Sequence, residues 1–182
     1  VLRTASDAAE RGERVVMATV LARRGSTPST PGQKLVLTES GQSLGTVGGG
    51  AVEREVLREL VAWLADPAFE GRSAKTETYK LGAELGMCCG GGVDVLLEAI
   101  PSATPSLVIG AGHIGTAVAP LLARSGFSVT LVDDREQWAL ASPDEPRVRR
   151  VAGDFGFVGK SVPRRGAALA MTHDHQLDQR VI

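Results

Sequence analysis

The chain changes its hydrophobic rhythm about halfway along its 182 residues. A short helix is predicted over Leu2 to Arg11, closed by Gly12 in the position just past a helix end. Arg14 to Ala22 concentrates Val15, Val16, Met17, Thr19, Val20 and Leu21 and predicts a buried strand. Gly25-Ser-Thr-Pro28-Ser-Thr-Pro31-Gly32 breaks that run with a polar, proline-stiffened loop. Strands follow over Lys34 to Thr38 and Ser43 to Val47, antiparallel about the Glu39-Ser-Gly41 turn. Val52, Val56, Leu60 and Leu64 then recur every fourth residue, which places one apolar face on a helix from Ala51 to Ala65. Strands over Ala74 to Leu81 and Val93 to Ile100 complete this half, with the glycine-rich Gly86 to Gly92 between them.

Pro101-Ser-Ala-Thr-Pro105 reads as a linker, giving domains over 1–101 and 105–182. Beyond it strand and helix alternate: strand Ser106 to Ile109, helix Ile114 to Ser125, strand Ser128 to Val132, and further strands at Arg147 to Val151 and Ala167 to Met171. Alternation of that kind calls for a parallel sheet. The expected fold class is α/β: an N-terminal α+β domain followed by a Rossmann-like parallel-sheet domain, incomplete because the last helix has barely begun at Ile182.

Composition narrows the function. With 43% hydrophobic and 23% charged residues, and 20 basic against 21 acidic side chains, the chain has the profile of an ordinary soluble protein. A nucleic-acid binder shows a basic excess or stripe, so no nucleic-acid partner is expected. No apolar run approaches the roughly 20 residues that span a bilayer, and no signal peptide opens the sequence, so no membrane association is expected. Cys88 and Cys89 are adjacent and make no disulfide framework, which points to the cytoplasm.

The glycines carry the chemistry. Gly110-Ala-Gly112-His113-Ile-Gly115 lies between an apolar strand and a helix, and Asp133 ends the next strand, 18 residues after Gly115. In a dinucleotide-binding unit the first glycine allows the turn, the second lets a phosphate approach the backbone, and the third lets the helix pack. The helix start supplies unpaired N–H groups, and the acidic residue reads a ribose hydroxyl. His113 either donates to an anion there or crowds a pyrophosphate. Asp133-Asp134-Arg135 mixes signs, leaving plain and phosphorylated ribose undecided.

Gly48, Gly49 and Gly50 precede the first long helix, with Glu53 in its first turn; they serve either tight packing or an anion held by bare N–H groups. Cys89 sits between glycines, where a thiol is either a small packed side chain or a reactive thiolate and soft-metal ligand. Thr172-His173-Asp174-His175 with Asp178 follows the last apolar strand, at the sheet edge where open α/β folds bind ligands. His173 and Asp174 there are candidates for proton transfer or metal ligation, against a reading as helix capping.

Taken in order, Gly25-Ser-Thr-Pro28, Gly45-Thr-Val-Gly-Gly-Gly50 through Glu53, Cys89-Gly-Gly91, Gly110 to Gly115, Val132-Asp-Asp-Arg135 and Thr172-His-Asp-His175 resemble the XdhC/CoxI family. The resemblance implies a two-domain maturation factor that binds the molybdopterin-type molybdenum cofactor, assists its sulfuration and delivers it to a xanthine dehydrogenase-type apoenzyme. It implies Cys89 as the sulfur- and metal-handling thiol, Gly48 to Gly50 and Gly110 to Asp133 as cofactor-binding residues, and a cysteine desulfurase as a second partner. A homo-oligomer is expected. Two rivals stand beside it: an NAD(P)-dependent oxidoreductase, which would bind nicotinamide dinucleotide and turn over, and a nucleotide-sensing interaction module, for which Cys89 is dispensable.

Overall fold

The computed structural model describes residues 1–66, 68, 73–81, 91–141, 145–155 and 165–181. The chain divides into two compact units, Val1–Ala9 with Glu13–Ser102, and Glu10–Gly12 with Ala103–Ile182.

In the first unit, helix α1 (Leu2–Glu10) leads into β1 (Val15–Arg24), β2 (Lys34–Thr38), β3 (Ser43–Gly45), α2 (Gly50–Ala65), β4 (Ala74–Leu81) and β5 (Gly91–Ile100). The strands form one antiparallel sheet in the order β3-β2-β1-β5-β4. Alternation decides what each face buries. Val16, Ala18 and Val20 point with Leu35, Leu37, Val93, Val95 and Leu97 toward Val52, Val56, Leu60 and Leu64 of α2. Val15 and Val36 face the other way, onto Ala5, Ala8 and Ala9 of α1. β1 is therefore buried on both faces over Val15 to Val20, which is why it reads as a continuous apolar run. Each fully buried Val or Leu contributes about 1.5–3 kcal/mol by leaving water.

β3 stops at Gly45, short of the expected Val47. The Thr46 N–H still donates to the Lys34 carbonyl of β2 at 2.9 Å, but Val47 leaves the ladder, its N–H taken by Glu53 of α2 and its carbonyl by Ser29, described below.

The second unit runs β6 (Thr104–Ile109), α3 (His113–Arg124), β7 (Phe127–Asp133), α4 (Glu136–Ala141), β8 (Val148–Ala152), β9 (Ala167–Ala170) and α5 (His175–Val181). Its four described strands are parallel, in the order β8-β7-β6-β9. Pro105, expected in the linker, belongs to β6; it precedes the first pairing with β9 at Ser106, so its missing N–H breaks no bond on that side. Ala119 and Ala123 of α3 pack on Val108, Val129 and Leu131. The observed architecture is thus an α+β unit followed by a Rossmann-like parallel-sheet unit. No helix among the described residues is long and apolar enough to cross a membrane.

Candidate functional site

Strand order reverses direction between β6 and β9, and in such sheets ligands bind beyond the carboxyl ends of the strands at that switch. Two of the sequence motifs arrive there together. β6 ends in the Gly110 loop, and β9 ends at Met171-Thr172, whose Met171 N–H donates to the Ile109 carbonyl at 2.8 Å.

The three glycines of this loop have different reasons to be glycine. Gly110 has φ of 105°, and a Cβ there would lie 2.4 Å from the Met171 carbonyl oxygen. At Gly115 a Cβ would lie 1.8 Å from the Gly110 carbonyl oxygen, so the helix can approach its strand only without a side chain. Gly112 differs from both. Its φ is −68°, which any residue adopts, and a Cβ would meet nothing within 4 Å. Neither its backbone conformation nor its packing requires glycine at 112.

Asp133, at the end of β7, is fully buried and accepts four hydrogen bonds. Oδ2 takes the Ala111 N–H at 2.7 Å and Arg135 Nη2 at 3.0 Å; Oδ1 takes the Arg135 N–H at 3.0 Å and Nε at 2.8 Å. The carboxylate pins the glycine loop from below. Burial alone raises its pKa, but the Arg135 and Ala111 hydrogen bonds outweigh it and hold the group below the usual carboxylate range. The sequence reading gave this carboxylate to a ribose hydroxyl; in the structure its oxygens are engaged by protein donors.

Arg135 in turn lies over the Trp138 ring, its guanidinium carbon 5.0 Å from the centroid, and the His113 ring meets the same indole edge-on at 5.5 Å. Trp138 did not stand out in the sequence, and Arg135 entered only as the basic member of Asp133-Asp134-Arg135. The available signal was Val132-Asp-Asp-Arg at a strand end with an aromatic residue three positions further on.

The Thr172 loop is held by its own side chains. Thr172 donates from N at 3.0 Å and from Oγ1 at 2.7 Å to Asp178 Oδ1, which together hold the Asp178 carboxyl below its ordinary pKa. Asp174 Oδ1 accepts the Gln176 N–H at 2.8 Å, capping α5. His173 and His175 are exposed. The geometry thus gives Asp174 a capping contact and leaves His173 facing solvent. Among the described residues, no group of three or more His, Cys, Asp or Glu side chains is arranged to hold a metal ion.

In the first unit three motifs meet at one end of the sheet. Ser29, fully buried within the proline-flanked loop, donates from Oγ to the Val47 carbonyl at 2.7 Å. A Cβ at Gly48 would lie 2.3 Å from that same Oγ, and one at Gly91 would lie 2.5 Å from the Ser26 carbonyl oxygen. Glu53 Oε2 accepts the N–H groups of Val47 and Gly49, each at 3.2 Å, and the Thr46 hydroxyl; Thr46 Oγ1 accepts the Gly48 N–H at 3.1 Å. The reading of Gly48 and Gly49 as bare anion donors is corrected by this network: their N–H groups already have acceptors. Close packing explains Gly48, and left-handed backbone explains Gly49 and Gly50, with φ of 74° and 62°. Cys89 falls outside the described residues, in the 82–90 connection that joins β4 to β5 where Leu81 pairs with Gly91.

Comparison with known proteins adds to this geometry. Residues 8–80 match the model of the XdhC and CoxI family, and residues 107–182 match that of the XdhC Rossmann domain. An Escherichia coli (strain K12) protein named "Uncharacterized protein YqeB" is 37% identical over 121 residues, 64% of this chain. That stretch is 21% of the relative, so the chain spans a minor part of its length. A crystal structure described as a xanthine dehydrogenase from Bacillus halodurans superposes with a TM-score of 0.43 at 17% identity, covering 99% of this chain and 76% of that one.

Proposed function

The chain belongs to the XdhC and CoxI family, and from that premise we propose that it binds the molybdopterin-type molybdenum cofactor as cargo and delivers it to a xanthine dehydrogenase-type apoenzyme. The observation that carries the binding half is Gly112, a glycine with open space above it at the start of α3, beside neighbours whose glycines are explained by packing.

The residues fit a phosphate-bearing ligand. α3 begins at His113, so the first N–H groups of the helix face the space over Gly112, and the positive end of the helix dipole favours a phosphate there. Asp133 holds the loop in shape through the Ala111 N–H, which keeps those donors aimed. The cargo supplies the molybdenum–dithiolene centre that the client enzyme uses. Cys89 contributes a thiol to its handling in this reading, because a thiolate is both nucleophile and soft-metal ligand. A cysteine desulfurase fits the same reading as a sulfur donor, and the cytoplasm as the compartment.

Coexpression with a xanthine dehydrogenase-type apoenzyme tests the delivery half. Client activity and its sulfurated molybdenum content rise with the chain present. Equal client activity with and without it would remove the maturation role.

A further inference from the structure

We propose that Arg135 is the platform on which this unit stacks the planar base of a nucleotide, with Trp138 behind it. The inference rests on the reading that a phosphate lies over Gly112, since the phosphate fixes where the remainder of a nucleotide goes.

The geometry holds Arg135 between Asp133 and Trp138. Trp138 is partly buried against the core of the unit, which fixes the indole. The Arg135 guanidinium carbon lies 5.0 Å from the indole centroid, within the range of a cation–π contact. Its plane is set by a fork onto Asp133, with Nε at 2.8 Å from Oδ1 and Nη2 at 3.0 Å from Oδ2. The Arg135 side chain is nevertheless 34% exposed, while its Asp133 partner is 0% exposed. An arginine tied to Asp133, set beside an aromatic ring and still one-third exposed, loses little freedom when a second ring covers it.

Position agrees with chemistry. Asp133 joins the arginine to the glycine loop through the Ala111 N–H at 2.7 Å, so the platform borders the phosphate cradle directly. In this fold type the end of the second strand lies alongside the nucleoside beyond the phosphate. Here that strand end is β7, and its carboxylate is occupied by Arg135. What this strand end offers a nucleoside is therefore the partly exposed Arg135 guanidinium beside Trp138.

Calorimetry on the full chain with AMP and ribose 5-phosphate tests this, because the two probes share the phosphate and sugar and differ by the base. AMP should bind about tenfold or more tightly, the size of one stacked base. Arg135→Lys keeps a positive charge beside Asp133 and removes the plane, so the AMP to ribose 5-phosphate ratio should fall toward one. Arg135→Gln should lower the ratio too, with circular dichroism checking its fold. Equal binding of both probes to the unaltered chain would overturn the inference while leaving the phosphate site standing. A lysine variant that keeps the full ratio would overturn it as well, since charge alone would then suffice. If neither probe binds, the phosphate reading fails and takes this inference with it.

Discussion

Replacing Asp133 by alanine removes the acceptor of four hydrogen bonds at once. The Ala111 N–H is buried, and without its acceptor at 2.7 Å it has no access to water; such an orphaned donor costs about 1–3 kcal/mol. Arg135 loses three bonds, but its partly exposed side chain can turn toward water, so this share is discounted to about 1 kcal/mol. The expected loss is about 2–4 kcal/mol, somewhat below the range for breaking a fully buried pair. Asp133→Asn keeps the shape and one acceptor and should lose about half as much.

The pH dependence follows from the direction of the shift. The folded-state pKa of Asp133 is lowered, so its contribution is complete well above the unfolded value of 3.8 and is lost as pH falls through that value toward the folded one. The gap between the native chain and Asp133→Asn should therefore be constant near neutrality and narrow below about pH 4. Denaturant unfolding followed by Trp138 emission in a Trp63→Phe background reports this unit alone, since the chain has two tryptophans. A loss for Asp133→Ala under about 0.5 kcal/mol, the level of an ordinary surface change, would mean that the carboxylate does not hold the glycine loop.

Gly115→Ala should destabilise the parallel-sheet unit by about 1–3 kcal/mol, because the new methyl would meet the Gly110 carbonyl oxygen at 1.8 Å. A Cβ at 112 meets nothing within 4 Å, so Gly112→Val should melt within a few degrees of the native chain while losing phosphate-ligand affinity by calorimetry. Glu53→Ala frees the Val47 and Gly49 N–H groups, so hydrogen exchange at both should accelerate, with a stability loss of about 1–3 kcal/mol. Cys89→Ala should remain folded by circular dichroism and fail to activate a coexpressed client, whereas Cys88→Ala should do so nearly as well as the native chain.

Much of the fold was legible because burial imposes a period. The four-residue spacing of Val52, Val56, Leu60 and Leu64 gave α2 its face, and the double-sided burial of β1 gave a continuous apolar run. The glycine loop and its flanking elements were legible for the same reason, with a strand before and a helix after. Helix α4 was not, because six residues with Trp138 among them complete too few turns to establish a period. The pairing of β1 with β5 is also absent from the local pattern, since it joins Val15 to Ile100 across most of the first unit. At the site, the motif assigns Gly112 to phosphate approach, and the structure shows room for a Cβ there. The acceptors of the Val47 and Gly49 N–H groups were not, because a glutamate in a first helical turn reads equally as a dipole partner. Nor does the sequence show that Arg135 folds back two residues onto Asp133, which depends on the turn geometry after β7.

In the proposed function this chain holds a phosphorylated pterin cofactor over Gly112. Equilibrium titration of the purified chain with molybdopterin, read by calorimetry beside the folded Gly112→Val variant, tests it most directly. Saturable binding to the native chain is expected, with a loss of at least about tenfold in the variant, the penalty of a filled phosphate approach. Native and variant chains that bind molybdopterin equally, or a native chain that does not bind it at all, would rule out a pterin phosphate over Gly112.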